Sequence, residues 1–215
     1  MTNSPPRIDI TFSITPSTHS FSSPLPPTLD LTLLSHASAP ITLFTWNTPF
    51  HLPHCLTNTS LSIHNTKTST PVPTTKLLIQ RPALTRVRGS YDEVLFLTLL
   101  PGVPVTLSRP FGRNATMKPL PKHMIQRGWE LDADGNERRI RRSTRATGVD
   151  GLEAGCSYSV GLNMDSLEQC KWAFATKDQV LVEKGDAGSH VGDFAWEMQV
   201  KNEWIVTEAV LDVTD

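Results

Sequence analysis

A strict two-residue alternation near the start of the chain most limits what it can fold into. Ile8, Ile10, Phe12 and Ile14 are separated by Asp9, Thr11 and Ser13. In a strand, successive side chains point to opposite faces, so this pattern gives one apolar and one polar face. A helix would scatter the same positions around its axis. Leu29, Leu31 and Leu33 repeat the alternation around Asp30 and Thr32. Residues 41–46, 61–64, 76–80, 94–100 and 103–108 are further short candidates rich in β-formers.

The 17 prolines all fall within residues 1–121. Proline cannot donate to a ladder, so it is confined to turns and edges, and it punctuates the connectors 22–28 and 66–75. Charge is also unevenly spread. Residues 1–121 carry nine Lys/Arg against four Asp/Glu, residues 122–145 seven against four, and residues 146–215 four against 13. Such a break can mark a domain boundary, but the strand pattern continues across it. Residues 157–162 read as a strand, as do 194–200, where Phe194, Trp196, Met198 and Val200 alternate. Residues 204–213 read as a third strand, with 201–203 as a tight hairpin to its predecessor. Residues 172–174 and 179–182 are short candidates, and 164–171 is a possible short helix. Neither half supplies two full sheets. The expectation is therefore one all-β domain over 1–215, an immunoglobulin-like or fibronectin-like antiparallel β-sandwich with a long charged insertion at 117–147.

Leu152, Gly155 and Tyr158, spaced by three and followed by alternating apolar residues, fit a tyrosine corner. There the phenol bonds a backbone group a few residues upstream as the chain crosses between sheets.

With these strands in place, residues 29–34, 41–50, Arg81 and 99–102 resemble a β-sandwich domain of filamentous fungi. The pattern is similar to the amino-terminal pro-region of fungal deuterolysin-type metallopeptidases, and to uncharacterised fungal proteins that share it. Segments 152–160 and 172–181 resemble the carboxy-terminal half of the latter. The resemblance implies a sandwich fold and a role in covering or assisting a partner. It does not extend to the peptidase, because the zinc-binding His-Glu-x-x-His motif does not occur in this sequence.

Candidate sites are few. His51, His54 and Cys55 offer three metal ligands where a structural zinc site needs four, and we read them as a solvated loop, with no metal. Residues 131–137 fail the calcium-loop spacing, and Asp134-Gly135 reads as a turn between two extended arms. Arg138, Arg139, Arg141 and Arg142 form the strongest charge run, with Arg145 close behind. Either they bind a partner, or they face the acidic carboxy-terminal half of their own chain. Without interleaved aromatics they offer no stacking platform for single-stranded nucleic acid, and a nucleic-acid partner is not expected. Trp129 lies in the same insertion and is read as a binding residue, whereas Trp46, Trp172, Trp196 and Trp204 are read as core. No G-x-S-x-G elbow, P-loop or dinucleotide fingerprint occurs.

The sequence therefore points to a non-catalytic interaction module with a protein partner, no cofactor and no membrane association. The alternative is an enzyme or accessory protein of small-molecule metabolism, with a pocket at one end of the sandwich. Three cysteines and a polar, Pro-containing start at residues 1–6 point to a reducing compartment, cytoplasmic or nuclear.

Overall fold

Alternation along the chain becomes alternation of burial in space. A computed structural model describes residues 6–73, 76–77, 79–112, 129–131, 137–139, 149, 151–197 and 202–214. Strands β1 (Arg7–Thr15) and β3 (Thr28–Ser35) pair antiparallel, with Ile10 opposite Leu33 and Phe12 opposite Leu31. On their inner faces Ile8, Leu29, Leu31 and Leu33 are fully buried, which contributes roughly 1.5–3 kcal/mol per side chain.

Two four-stranded sheets enclose this core. The first has the order β12 (Glu203–Val206), β1, β3, β7 (Val105–Pro110). The second has the order β2 (Thr18–Ser20), β13 (Ala209–Thr214), β10 (Cys156–Leu162), β5 (Leu61–Asn65). One buried cluster joins Ile10, Leu31 and Leu33 of the first sheet to Ile63, Val160, Leu211 and Val213 of the second. The fold is thus an all-β sandwich, and strands from both halves of the chain enter each sheet.

The chain crosses between sheets where the sequence suggested a corner. The Tyr158 hydroxyl accepts a hydrogen bond from the Glu153 backbone N–H at 2.9 Å, and the ring is buried. Gly155 takes a φ of 78° in the turn before it, a conformation that favours glycine. A second crossing splits the expected 204–213 strand. At Thr207, whose N–H donates to the Ile10 carbonyl, the chain passes from β12 to β13.

A third sheet, ordered β11 (Lys171–Ala173), β4 (Ile41–Phe44), β6 (Phe96–Leu99), takes one strand from each of three connections between sandwich strands. Beneath it lies a satellite core of Phe44, Leu95, Phe96, Val180, Val191 and Trp196. Short helices α1 (Leu52–Cys55), α2 (Met164–Glu168) and α3 (Lys177–Val180) complete the connections. The side chains of Asn163 and Thr176 cap α2 and α3.

Four expectations are corrected. Residues 179–182 begin inside α3, where Thr176 and Gln179 form a reciprocal capping box. Residues 194–197 leave the ladder because Phe194 and Trp196 turn into the satellite core after a 3-10 turn at Val191–Asp193. Instead of a hairpin at 201–203, β12 runs parallel to β1, with Arg7 opposite Glu203. The described residues of 76–80 form no strand either. Among the described residues, no helix is long and apolar enough to cross a membrane.

Candidate functional site

The most concentrated chemistry outside the cores lies on and around α1. After β4, the Thr48 hydroxyl donates to the Thr45 carbonyl at 2.7 Å and accepts from the Phe50 N–H at 3.2 Å, which turns the chain into the helix. Pro53 sits in the first turn, where no intrahelical donor is needed. His51 and His54, three apart, therefore share one side, with ring centroids 4.5 Å apart at 82°. The Trp46 ring packs against both, at 5.4 Å and 5.2 Å. Cys55 points the other way and is fully buried.

This geometry corrects the loop reading of residues 51–55. The segment is a helical turn that delivers Leu52, Cys55 and Leu56 to the sandwich core. It also separates the supposed ligands. No group of three or more His, Cys, Asp or Glu side chains placed to hold a metal ion occurs among the described residues.

Two arginines complete the cluster. The Arg81 guanidinium lies 5.2 Å from the ring centres of both Trp46 and Tyr91. Its Nη2 donates to Asp92 Oδ1 at 2.8 Å, while Asp92 Oδ2 accepts from the Thr85 N–H at 3.0 Å. Arg81 is therefore fixed in direction, and Tyr91 is left 81% exposed. Arg109, at the end of β7, donates from Nη1 to the Leu52 carbonyl at 2.7 Å. Its Nε is buried without a partner among the described residues.

Electrostatics follow from this crowding. Burial, reinforced by His54, Arg81 and Arg109, pushes His51 down to about 4. His54 is lowered by burial and by the same two arginines. Burial pushes the Cys55 thiol up to about 12, and raises Cys170 as well. At neutral pH the His51 ring is uncharged in a field set by guanidinium groups. All three cysteines are free thiols.

Two hollows flank these elements. One, of about 660 Å³, runs between α1 and the end of β7, lined by Leu52, His54, Leu56, Leu77, Ile79 and Arg109. The other, of about 380 Å³, lies by α2 and is lined by Leu167, Glu168, Trp172, Glu197, Asn202 and Trp204.

The insertion residues fall elsewhere. Strands β8 (Trp129–Leu131) and β9 (Glu137–Arg139) form an antiparallel pair, with Trp129 opposite Arg139 and Glu130 opposite Arg138. These are the two extended arms expected around Asp134-Gly135, although residues 132–136 lie outside the described residues. So do Arg141, Arg142 and Arg145. Trp172 and Trp196 are core, as expected, whereas Trp46 and Trp204 are only half-buried.

Sequence reasoning missed Tyr91 and Arg109 as site residues, and took Trp46 for core. One signal was readable. Val105, Leu107 and Arg109 alternate, so a charge occupies an inward position of β7. Compared with models of known protein families the chain matches none, and no curated protein matches it either.

Proposed function

We propose that the chain is an immunoglobulin-like binding module that performs no chemistry itself. Its contact surface for a protein partner is the Trp46–Arg81–Tyr91 stack, with the 117–147 insertion as a second element. The topology supports the first part. The order β1-β3-β7 matches strands A-B-E of an immunoglobulin sandwich, and β13-β10-β5 matches G-F-C, with Tyr158 in the corner position on F. The resemblance to deuterolysin pro-regions supports a covering or assisting role.

The observation that carries the contact surface is Arg81 held between two aromatic rings and oriented by Asp92, with Tyr91 open to solvent. Rigid aromatic and arginine anchors lose little entropy on binding and dominate interface energetics. The titratable groups favour binding over catalysis. A thiol raised to about 12 is a poor nucleophile, and an imidazole at about 4 is too weak a base for neutral pH. A second reading, an enzyme or accessory protein of small-molecule metabolism, draws support from the hollow that Glu168, Glu197 and Trp172 help to line.

Quantitative affinity capture with the intact chain, Tyr91→Ala and a 117–147 deletion tests the proposal. Tyr91→Ala should weaken capture of the principal partner by about 30-fold, the loss expected of an interface anchor. Recovery of the same partner at the same yield by both altered chains would overturn it.

A further inference from the structure

We propose that the hollow between α1 and the end of β7 is a binding site for an amphipathic carboxylate, an aliphatic chain with one anionic head. The head is assigned from Arg109. A guanidinium carries five donors and a permanent charge, yet its only hydrogen-bond acceptor among the described residues is the neutral Leu52 carbonyl. Arg109 forms no ion pair with any described residue, and the edge formed by Nε and Nη2 has no partner among them. Leaving a partly buried cation so poorly satisfied is costly, and a carboxylate supplies the balancing charge and acceptors for the guanidinium.

The tail is assigned from the walls. Leu52, Leu56, Leu77 and Ile79 line the hollow, together with Pro53 and Pro110, and no carboxylate lies among its described lining residues. The Leu77 N–H donates to the Thr57 carbonyl at 2.8 Å, which holds that wall against the segment following α1. A volume of about 660 Å³ falls in the range typical of small-molecule sites. One guanidinium balances one carboxylate, whereas a doubly charged phosphate head would be left partly unneutralised.

This site adjoins the proposed protein-contact surface through His54, which packs on Trp46, but Trp46, Arg81 and Tyr91 do not line it, so the two readings can fail independently. The test is isothermal titration calorimetry on the full chain at neutral pH. Sodium decanoate is the probe, with decan-1-ol (same tail, no charge), acetate (charge, no tail) and decyl phosphate as comparators. Decanoate should bind with saturation and about ten-fold tighter than decanol, the gain expected of one charge-assisted contact. Acetate should show no saturation, and decyl phosphate should bind more weakly than decanoate. Arg109→Gln should erase the preference for decanoate over decanol.

Because Arg109 also supports α1, a second variant guards against a folding defect. Leu77→Glu leaves Arg109 in place and puts a like charge on the wall. It should cut the decanoate-to-decanol preference about ten-fold, with an unchanged circular dichroism spectrum. Tyr91→Ala should leave decanoate binding intact. Decanoate binding no tighter than decanol in the unaltered chain, or a preference that survives both groove variants, would overturn the proposal. Tighter binding of decyl phosphate would overturn the choice of head group.

Discussion

The sandwich core and the satellite core under the third sheet reach burial by different routes. In the sandwich, long alternating strands supply the apolar face, and backbone ladders hold it, as between β1 and β3. In the satellite, Phe44, Leu95, Phe96, Val180 and Trp196 arrive from separate segments. There, side chains fasten backbone to backbone. Trp196 Nε1 donates to the Val191 carbonyl at 2.8 Å, and the Thr42 hydroxyl donates to the Ala175 carbonyl at 2.7 Å. Arg86 reaches the Gly188 carbonyl at 2.6 Å and also bonds the Val180 carbonyl. The sandwich rests on long ladders, whereas the satellite adds these single side-chain bonds to the short ladders of the third sheet.

The largest expected effects test whether these are separate cooperative units. Leu31→Ala removes a fully buried side chain from the middle of the sandwich and should cost about 3–4 kcal/mol in urea unfolding. Trp196→Ala should cost about 3 kcal/mol, drawn mainly from the satellite. In hydrogen exchange, Trp196→Ala should release amides of residues 171–196 while β1 and β3 stay protected. Equal loss of protection in both regions would mean one cooperative core, and the comparison would break.

The same contrast explains what was legible in the sequence. Alternation at Ile8–Ile14 and Leu29–Leu33 is local, and it identified β1 and β3 directly. The tyrosine corner was legible because its parts lie within seven residues, Leu152 to Tyr158. In the satellite, Trp196 finds its place through Phe44 and Phe96, contacts that no short window of sequence contains. The period-2 pattern at 194–200 therefore suggested a strand, whereas tertiary packing takes residues 194–197 out of any ladder. The candidate site is dispersed in the same way. Arg109 reaches α1 only because the helix packs beside the end of β7, and Arg81 joins Trp46 to Tyr91 only through its bond to Asp92. Two local marks existed: the close spacing of His51, His54 and Cys55, and Arg109, a charge on an inward strand position.

A smaller change probes the sandwich at its own single-contact point. Tyr158→Phe removes the acceptor for the Glu153 N–H and keeps the ring in place. The expected loss is about 1 kcal/mol, near the net worth of one hydrogen bond, with an unchanged urea slope. A much larger loss would put the crossing between sheets in the same class as the satellite, dependent on one polar contact.

The smallest effect acts on the seam between the two cores. His51 stands between Trp46, which packs on the satellite, and Phe50 and Leu52, which belong to the sandwich core. Its ionisation lies at about 4 in the folded chain, below the ordinary histidine value of 6.5, chiefly because burial penalises the charged ring. Between those values the unfolded chain binds the extra proton, so unfolding takes up protons and stability rises with pH. Acidification from 6.5 towards 4 should therefore weaken the seam, and His54, shifted the same way, adds to the slope. Solvent screening of half-buried rings holds the loss to the order of 1 kcal/mol, well below what an unscreened shift would give. The double variant His51→Gln/His54→Gln should flatten this part of the stability–pH curve and leave the value above pH 7 nearly unchanged. If the slope persists in the double variant, the acid-sensitive element lies in one of the two cores and not at their junction.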